Sequence, residues 1–460
     1  MIAMSLDAIA EAVGGKIVQG EGLSFHAVST DTRKVNAGDL FVALKGEKFN
    51  GHEFVFQAIA AGATGLVVSK VVEAYPPGVG VIKVENTLQA LQMLARTQRR
   101  FKAIPIVAIT GSAGKTSTKD LIAAVLAEKL KVLKTEGNFN NEIGLPLTIF
   151  RLEDMHEVMV VEMGMRGQGQ IAELVSIAEP TIGVITNIGE AHIELLGSKE
   201  NISKAKGELI EGLPANGTAI LNGDDPYLRD IGSKAAARGL KVLFYGHTGN
   251  NNLRVIDQES QGLEGTRLTV ALGQQEFSYT LPILGEYNVL NSLAAILVAL
   301  ELDLELTQIV EGLKKVKLSS MRLEVKNSIA GYQIIDDTYN ANPTAMLGAL
   351  KTLSQLPATS RRVAVLGSMF ELGEEAISGH KRVGEAVAEL NIDILFTIGD
   401  LAQDIANGFI EAGGNKRSCY AFVNKQEAIG ELKKVLQKND IILIKGSRGM
   451  GLEEVVKAIQ

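Results

Sequence analysis

The feature that most narrows the fold is TGSAGKTST, Thr110 to Thr118, which follows the apolar run IPIVAI and leads into the amphipathic stretch STKDLIAAVLAEKL. A strand, a glycine turn and a helix in that order gather backbone N–H groups and a helix N-terminus around one point, where a polyphosphate is favoured. Lys115 adds a cation and Thr116 a hydroxyl suited to magnesium. Thr110, Gly111, Ser112, Ala113, Gly114, Lys115, Thr116 and Ser117 are therefore expected to hold ATP with Mg2+. Full Walker A spacing puts a glycine at position 109, but Ile109 stands there, so the loop is a shorter variant. A chance glycine turn accounts for the spelling GKT but not for its place between strand and helix.

The same rhythm of apolar strand, turn and helix recurs in HEVMVVEMG and TIGVITNIG, which predicts an α/β fold with a central, doubly wound, mostly parallel sheet. Ligands of such sheets sit beyond the carboxyl ends of the strands. RRVAVLG, DILFTIG and DIILIKGS resume the pattern late in the chain and predict a C-terminal Rossmann-like α/β domain. DLFVAL and GLVVS, with glycine-rich turns between them, predict a small N-terminal α/β domain. At 460 residues the chain exceeds what one core supports. The expected division is 1–85, 86–318 and 319–460. A helix from Asn86 to Phe101, N-capped by Asn86, bridges the first two domains, a helix over Asn288 to Leu300 closes the second, and KKVKLSSMRLE is the linker to the third.

Composition removes several functional classes. The net charge is −7, and lysines and arginines are scattered rather than striped, so nucleic acid is not an expected partner. No apolar run spans a bilayer, and the N-terminus lacks the basic start and apolar core of a signal peptide, so no membrane association is expected. The single cysteine, Cys419, cannot form an internal disulfide, and with no His or Cys nearby in sequence it is read as structural. These features together predict a cytoplasmic protein.

Other candidate residues follow the apolar runs. Glu162 ends VMVVE and offers a hard oxygen ligand for magnesium. The next strand runs into TNIGEAHIELLGS, which carries Asn187 and His192. SKAKGELIEGLP follows with Lys204 and Lys206, by default a surface pair. If Lys206 instead packs beside the site, burial favours its neutral amine, the form that can take up carbon dioxide as a carbamate and hold a second magnesium. A nucleotide switch or a kinase could share the glycine loop, but an acid and an imidazole at adjacent strand ends favour two-metal chemistry over a switch.

The ordered set TGSAGKTST, VVEMG, TNIGEAHIELLGS, AKGE, GEYNVLNSLAA, MRLE, DDTYNANP and KGSRGM resembles the Mur ligases of peptidoglycan synthesis along essentially the whole chain. STDTRKVNAGDLFVALKGEKFNGHEF, GNFNNEIGLPLT, DDTYNANP and LGSMFELGEE point within that family to the ligase that joins D-alanyl-D-alanine to UDP-N-acetylmuramoyl-tripeptide. The family member that adds the third amino acid is the nearest alternative, but no DNPR-type segment is present.

The resemblance implies ATP and two Mg2+ ions, with Lys115 on the phosphates, Thr116 and Glu162 on one ion, and His192 with carbamylated Lys206 on the other. Asn291 is implied at the adenine, and Arg322 and Asp337 at the phosphates and ribose. Ser29, Thr32, Arg33, Lys45 and Gly46 are implied at the uridine diphosphate. Asn138, Asn140 and Asn141 are implied along the peptide channel, and Asn340, Asn342 and the loop Lys445 to Arg448 near the dipeptide. Lys115, His192, Lys206 and Arg322 are the implied catalytic set, working in a monomer. Two positions depart from the family, which usually has histidine where Tyr287 stands and aspartate where Ser368 stands.

Overall fold

The computed structural model describes residues 1–46, 49–72, 74–356 and 360–460; Glu47 and Lys48, within one of the segments that carry the resemblance, lie outside these. Among the described residues, three sheets follow one another along the chain. Five strands lie between Lys16 and Lys83, nine between Ile106 and Leu281, and six between Glu324 and Lys445. Met4–Ser5 and Ser24–Phe25 add a short antiparallel ribbon.

In the nine-stranded sheet Ile106–Thr110, third from one edge, lies between Val158–Glu162 and Ile182–Ile185, parallel to both. All three strands are buried along their length, the expected result where helices cover both faces of a parallel sheet. The chain thus enters three adjacent strand ends with Thr110, Glu162 and Ile185 side by side.

One edge of this sheet differs from the expected parallel pattern. Leu253–Ser260, Thr266–Leu272 and Gln275–Leu281 form an antiparallel meander that joins the parallel strands through Lys241–Gly246. Their sequences, LRVIDQES and QEFSYTL among them, mix polar and apolar residues because much of each strand faces water, and so they lack the continuous apolar run of the central strands.

The predicted bridging helix is Thr87–Arg100. The Asn86 side chain accepts from the N–H groups of Leu88 at 2.9 Å and Gln89 at 3.2 Å. Its buried face carries Leu91, Leu94 and Ala95, and Arg99 reaches from it to the Ala178 carbonyl at 3.0 Å. The helix predicted over Asn288 to Leu300 runs Glu286–Glu301 and is followed by a further helix, Leu306–Lys314. Leu293, Ala294, Ile296, Leu297 and Val298 are all buried, so the Glu286–Glu301 helix lies inside the molecule, packed on the phosphate-loop helix Lys115–Leu126.

In the third sheet Gln333–Asp337, Ile441–Lys445, Arg362–Gly367, Ile394–Ile398 and Cys419–Phe422 run parallel, with Glu324–Asn327 antiparallel at the edge. Cys419 is half-buried, and burial pushes its thiol pKa up, away from a reactive thiolate. Among the described residues, no helix is long and apolar enough to cross a membrane.

Candidate active site

The glycine turn lies between the strand Ile106–Thr110 and the helix Lys115–Leu126, the placement the sequence predicts. Gly111 has φ 150° and Gly114 φ 82°, and a Cβ on Gly111 would collide with the Thr186 hydroxyl. Lys115 begins the helix and folds back so that Nζ donates to the Gly111 carbonyl at 2.7 Å. Asn187, which follows the strand Ile182–Ile185, holds the turn. Its Oδ1 accepts from Ala113 N–H at 3.0 Å and its Nδ2 donates to the Ala113 carbonyl at 3.1 Å. Ser112 N–H also donates to the Asn187 carbonyl at 3.1 Å.

Thr116 and Glu162 meet across neighbouring strand ends. The Thr116 hydroxyl donates to Glu162 Oε2 at 2.7 Å, and Glu162 Oε1 accepts from Asn140 Nδ2 at 2.9 Å. Arg322 arrives from the linker and donates through Nη2 to Thr116 Oγ1 at 2.8 Å, its guanidinium stacked 4.2 Å from the centre of the Tyr339 ring.

His192 lies in the left-handed region at φ 65°. Its buried Nδ1 is 3.0 Å from Glu371 Oε2 but off the direction of a hydrogen bond, which leaves that nitrogen without a hydrogen-bond partner. Burial, Lys115 and Lys206 hold the imidazole below its ordinary pKa, so it is a neutral donor near neutral pH. The default reading of Lys204 and Lys206 as a surface pair fits only Lys204, which is exposed; Lys206 is 1% exposed. Burial, then the charge of Lys115, pushes the Lys206 amine well below the usual lysine range. Lys115 is lowered as well, by burial, with Glu162 opposing.

Two hard oxygens, an unpartnered imidazole nitrogen and a buried amine with no ion pair among the described residues form a donor set that fits divalent cations.

Thr116, Glu162 and His192 open onto a cavity of about 770 Å³, which Lys206 does not line. Asn138, Asn140 and Asn141 line one wall, Asn291 and Tyr287 another, and Arg322, Asp337, Asn340, Asn342 and Lys445 the side contributed by the third sheet. Asp337 is fixed by Lys445 Nζ at 2.6 Å, and Asn342 caps the helix Pro343–Ser354 by accepting from Ala345 N–H at 2.9 Å. Asn141 is similarly engaged, accepting from Gly144 N–H at 2.9 Å. Asn291 sits beneath Gly114 and donates to Asn288 Oδ1 at 3.2 Å.

Ser29, Thr32, Arg33, Lys45 and Gly46 do not line this cavity. They belong to the N-terminal sheet and the turns beside it, where Ser29 is buried and Arg33 is 85% exposed and paired with Asp31 at 2.8 Å. Of the two departures, Tyr287 packs its ring against Gly348, and Ser368 is buried with Oγ accepting from Ala402 N–H at 3.2 Å.

Sequence reasoning did not reach Glu371, which meets both His192 and, at 3.6 Å, Arg166. Nor did it reach the Arg382–Glu190 pair at 2.8 Å. Both join distant stretches of chain through exposed and half-buried side chains that no periodicity marks.

Comparison with known proteins agrees along the whole length. Family models described as the Mur ligase family catalytic domain, the Mur ligase middle domain and the Mur ligase glutamate ligase domain match residues 24–99, 109–299 and 321–448. The UDP-N-acetylmuramoyl-tripeptide--D-alanyl-D-alanine ligase of Bacillus subtilis is 40% identical, covering 99% of this chain and 98% of its own. The ligase of the same name in Escherichia coli is 36% identical over 100% and 99%. Among solved structures, MurF from Acinetobacter baumannii superposes with TM-score 0.91 at 29% identity, over 99% of this chain and 98% of that one. MurF from Thermotoga maritima in complex with ADP superposes with TM-score 0.83 at 30% identity, over 94% and 96%. The chain belongs to the Mur ligase family.

Proposed function

We propose that the chain is an ATP-dependent ligase that joins D-alanyl-D-alanine to UDP-N-acetylmuramoyl-tripeptide in peptidoglycan precursor synthesis, releasing ADP and phosphate. The observation that carries this is one cavity holding the phosphate loop, the Thr116–Glu162 pair and the asparagine wall, together with relatives of that name aligned end to end.

The tripeptide carboxylate takes the γ-phosphoryl group of ATP, breaking its bond to ADP and giving an acyl phosphate. The dipeptide amine then attacks the acyl carbon, expels phosphate and loses a proton to form the amide. Lys115 neutralises the β- and γ-phosphates, between which the bond breaks, and Arg322 adds a second cation from the linker side. Thr116 and Glu162 would hold one magnesium ion, and His192 with a carbamate on Lys206 a second. Bound magnesium supplies charge neutralisation and orientation of phosphate oxygens. Asn291 is assigned near the adenine and Asp337 near the ribose. Asn138, Asn140 and Asn141 are assigned to the peptide, and Asn340 and Asn342 to the side where the dipeptide enters. Ser29, Thr32, Arg33, Lys45 and Gly46 are assigned to the uridine diphosphate.

The division into 1–85, 86–318 and 319–460 is kept as part of this reading, with the last unit closing over ATP and dipeptide to exclude water from the acyl phosphate. Every group assigned to the site comes from one chain, so a monomer suffices. The cytoplasm supplies the ATP.

The test is an ADP-release assay across a panel of UDP-sugar peptides and amine acceptors. ADP release that requires both UDP-N-acetylmuramoyl-tripeptide and D-alanyl-D-alanine supports the reading; slow hydrolysis indifferent to the dipeptide rejects it.

A further inference from the structure

Asp120 lies on the phosphate-loop helix, is 1% exposed and does not line the cavity. A buried carboxylate is costly unless it is paired and hydrogen-bonded on all sides. Here Oδ2 accepts from both the N–H and the hydroxyl of Ser319, at 2.8 and 2.6 Å, while Oδ1 faces Lys134 Nζ at 2.9 Å and Lys119 Nζ at 3.3 Å. Burial opposes its charge, but Lys119, Ser319 and Lys134 together hold the carboxyl below its ordinary pKa.

Asp120 is four residues after Thr116 and so shares its face of the helix. Along that face the linker makes two contacts in order, Ser319 on Asp120 and then Arg322 on Thr116. Between and beyond them Met321 has φ 62° and Leu323 φ 50°, a conformation unfavourable for any residue but glycine. Such strain persists only where the surroundings fix both ends. On the far side Leu323 N–H donates to Asp337 Oδ1 at 3.3 Å and Tyr339 N–H to the Met321 carbonyl at 3.2 Å. On the near side the fixed end is Asp120.

We infer that Asp120, through Ser319, is a positioning residue: it pins the linker so that Arg322 is delivered to the nucleotide beside Thr116. The inference rests on the proposed function only in assigning Arg322 to the nucleotide. Without the pin, Met321 and Leu323 relax to ordinary conformations and Arg322 withdraws.

The test is a double-mutant cycle on the full chain, with calorimetric dissociation constants for ATP in the presence of magnesium. The proteins are wild type, Ser319→Ala, Arg322→Ala and the double variant, with Ser319→Thr as the conservative rescue. Ser319→Ala leaves both lysines on Asp120, so its melting temperature should stay near that of wild type. It keeps the backbone N–H bond to Oδ2 and loses the hydroxyl bond, and should weaken nucleotide binding about tenfold, the loss expected when a hydrogen bond to a charged group is removed. In the Arg322→Ala background the same change should cost nothing more, and Ser319→Thr should restore wild-type binding. Unchanged affinity in Ser319→Ala, or the same weakening with and without Arg322, overturns the inference. Wild-type protein that binds ATP yet shows no dipeptide-dependent ADP release would sink the ligase reading and leave this one standing.

Discussion

Thr116 donates its hydroxyl proton to Glu162 at 2.7 Å, which locks the first helical turn after the glycine loop to the end of the neighbouring strand. The same threonine oxygen accepts from Arg322, so one hydroxyl joins three separate stretches of chain. Glu162 in turn holds Asn140 of the asparagine wall.

Glu162→Gln keeps the size of the side chain and a hydrogen-bond acceptor for Asn140, but removes the charge. Turnover should fall on the order of 10²-fold, as when a group that stabilises transition-state charge is lost. The magnesium concentration for half-maximal rate should rise. Steady-state ADP release measured against added magnesium checks this; an unchanged magnesium requirement would contradict the assignment.

Lys115→Ala removes the cation assigned above to the phosphates. A kcat loss on the order of 10²-fold or more is expected. Near-normal turnover with both substrates present would remove Lys115 from the chemistry.

Lys206 gives a pH prediction whose sign can be worked out. Burial and Lys115 hold its amine well below the ordinary lysine range. Between that lowered value and the ordinary one, the unfolded chain binds a proton that the native chain does not, so native stability rises with pH across this window. Lys206→Met removes the penalty and should stabilise the protein by about 1–3 kcal/mol in bicarbonate-free buffer. The gain should shrink as pH climbs toward the ordinary lysine range, and catalysis should be lost. Thermal melts across pH read the first effect and ADP release the second. Carbon-13 bicarbonate should also give wild type a carbamate resonance that Lys206→Arg lacks; equal spectra would sink the carbamate.

Glu371 reaches Arg166 and Arg382 reaches Glu190 through partly exposed ion pairs, each worth about 0–1 kcal/mol. Glu371→Ala with Arg382→Ala should therefore loosen the third unit only modestly, and nucleotide with substrate should restore compactness. Small-angle scattering with and without ligands checks both; equal dimensions in every state would argue against closure.

The phosphate loop, Glu162 and His192 were legible because a parallel sheet puts functional residues just past apolar runs, and those runs are easy to see in the sequence. Assignments such as Asn291, Arg322 and Asp337 came only through resemblance, since nothing local marks an asparagine inside a buried helix or an arginine in a linker. The antiparallel edge from Leu253 to Leu281 was missed because half-exposed strands dilute the apolar signal. The work of Asn187 is not legible: sequence shows that an amide follows a strand, not which way it turns. Asp120 shows no sign of its role, because its partner Ser319 is 199 residues away.

Asn187 engages both the N–H and the carbonyl of Ala113, and that has a consequence for the loop's mechanics. With that amide committed inward, the anion nest depends on the N–H groups that follow it, at the start of the helix. Such a nest is stiff rather than accommodating: its shape is set before any guest arrives, and little ordering entropy is left to be lost on capture.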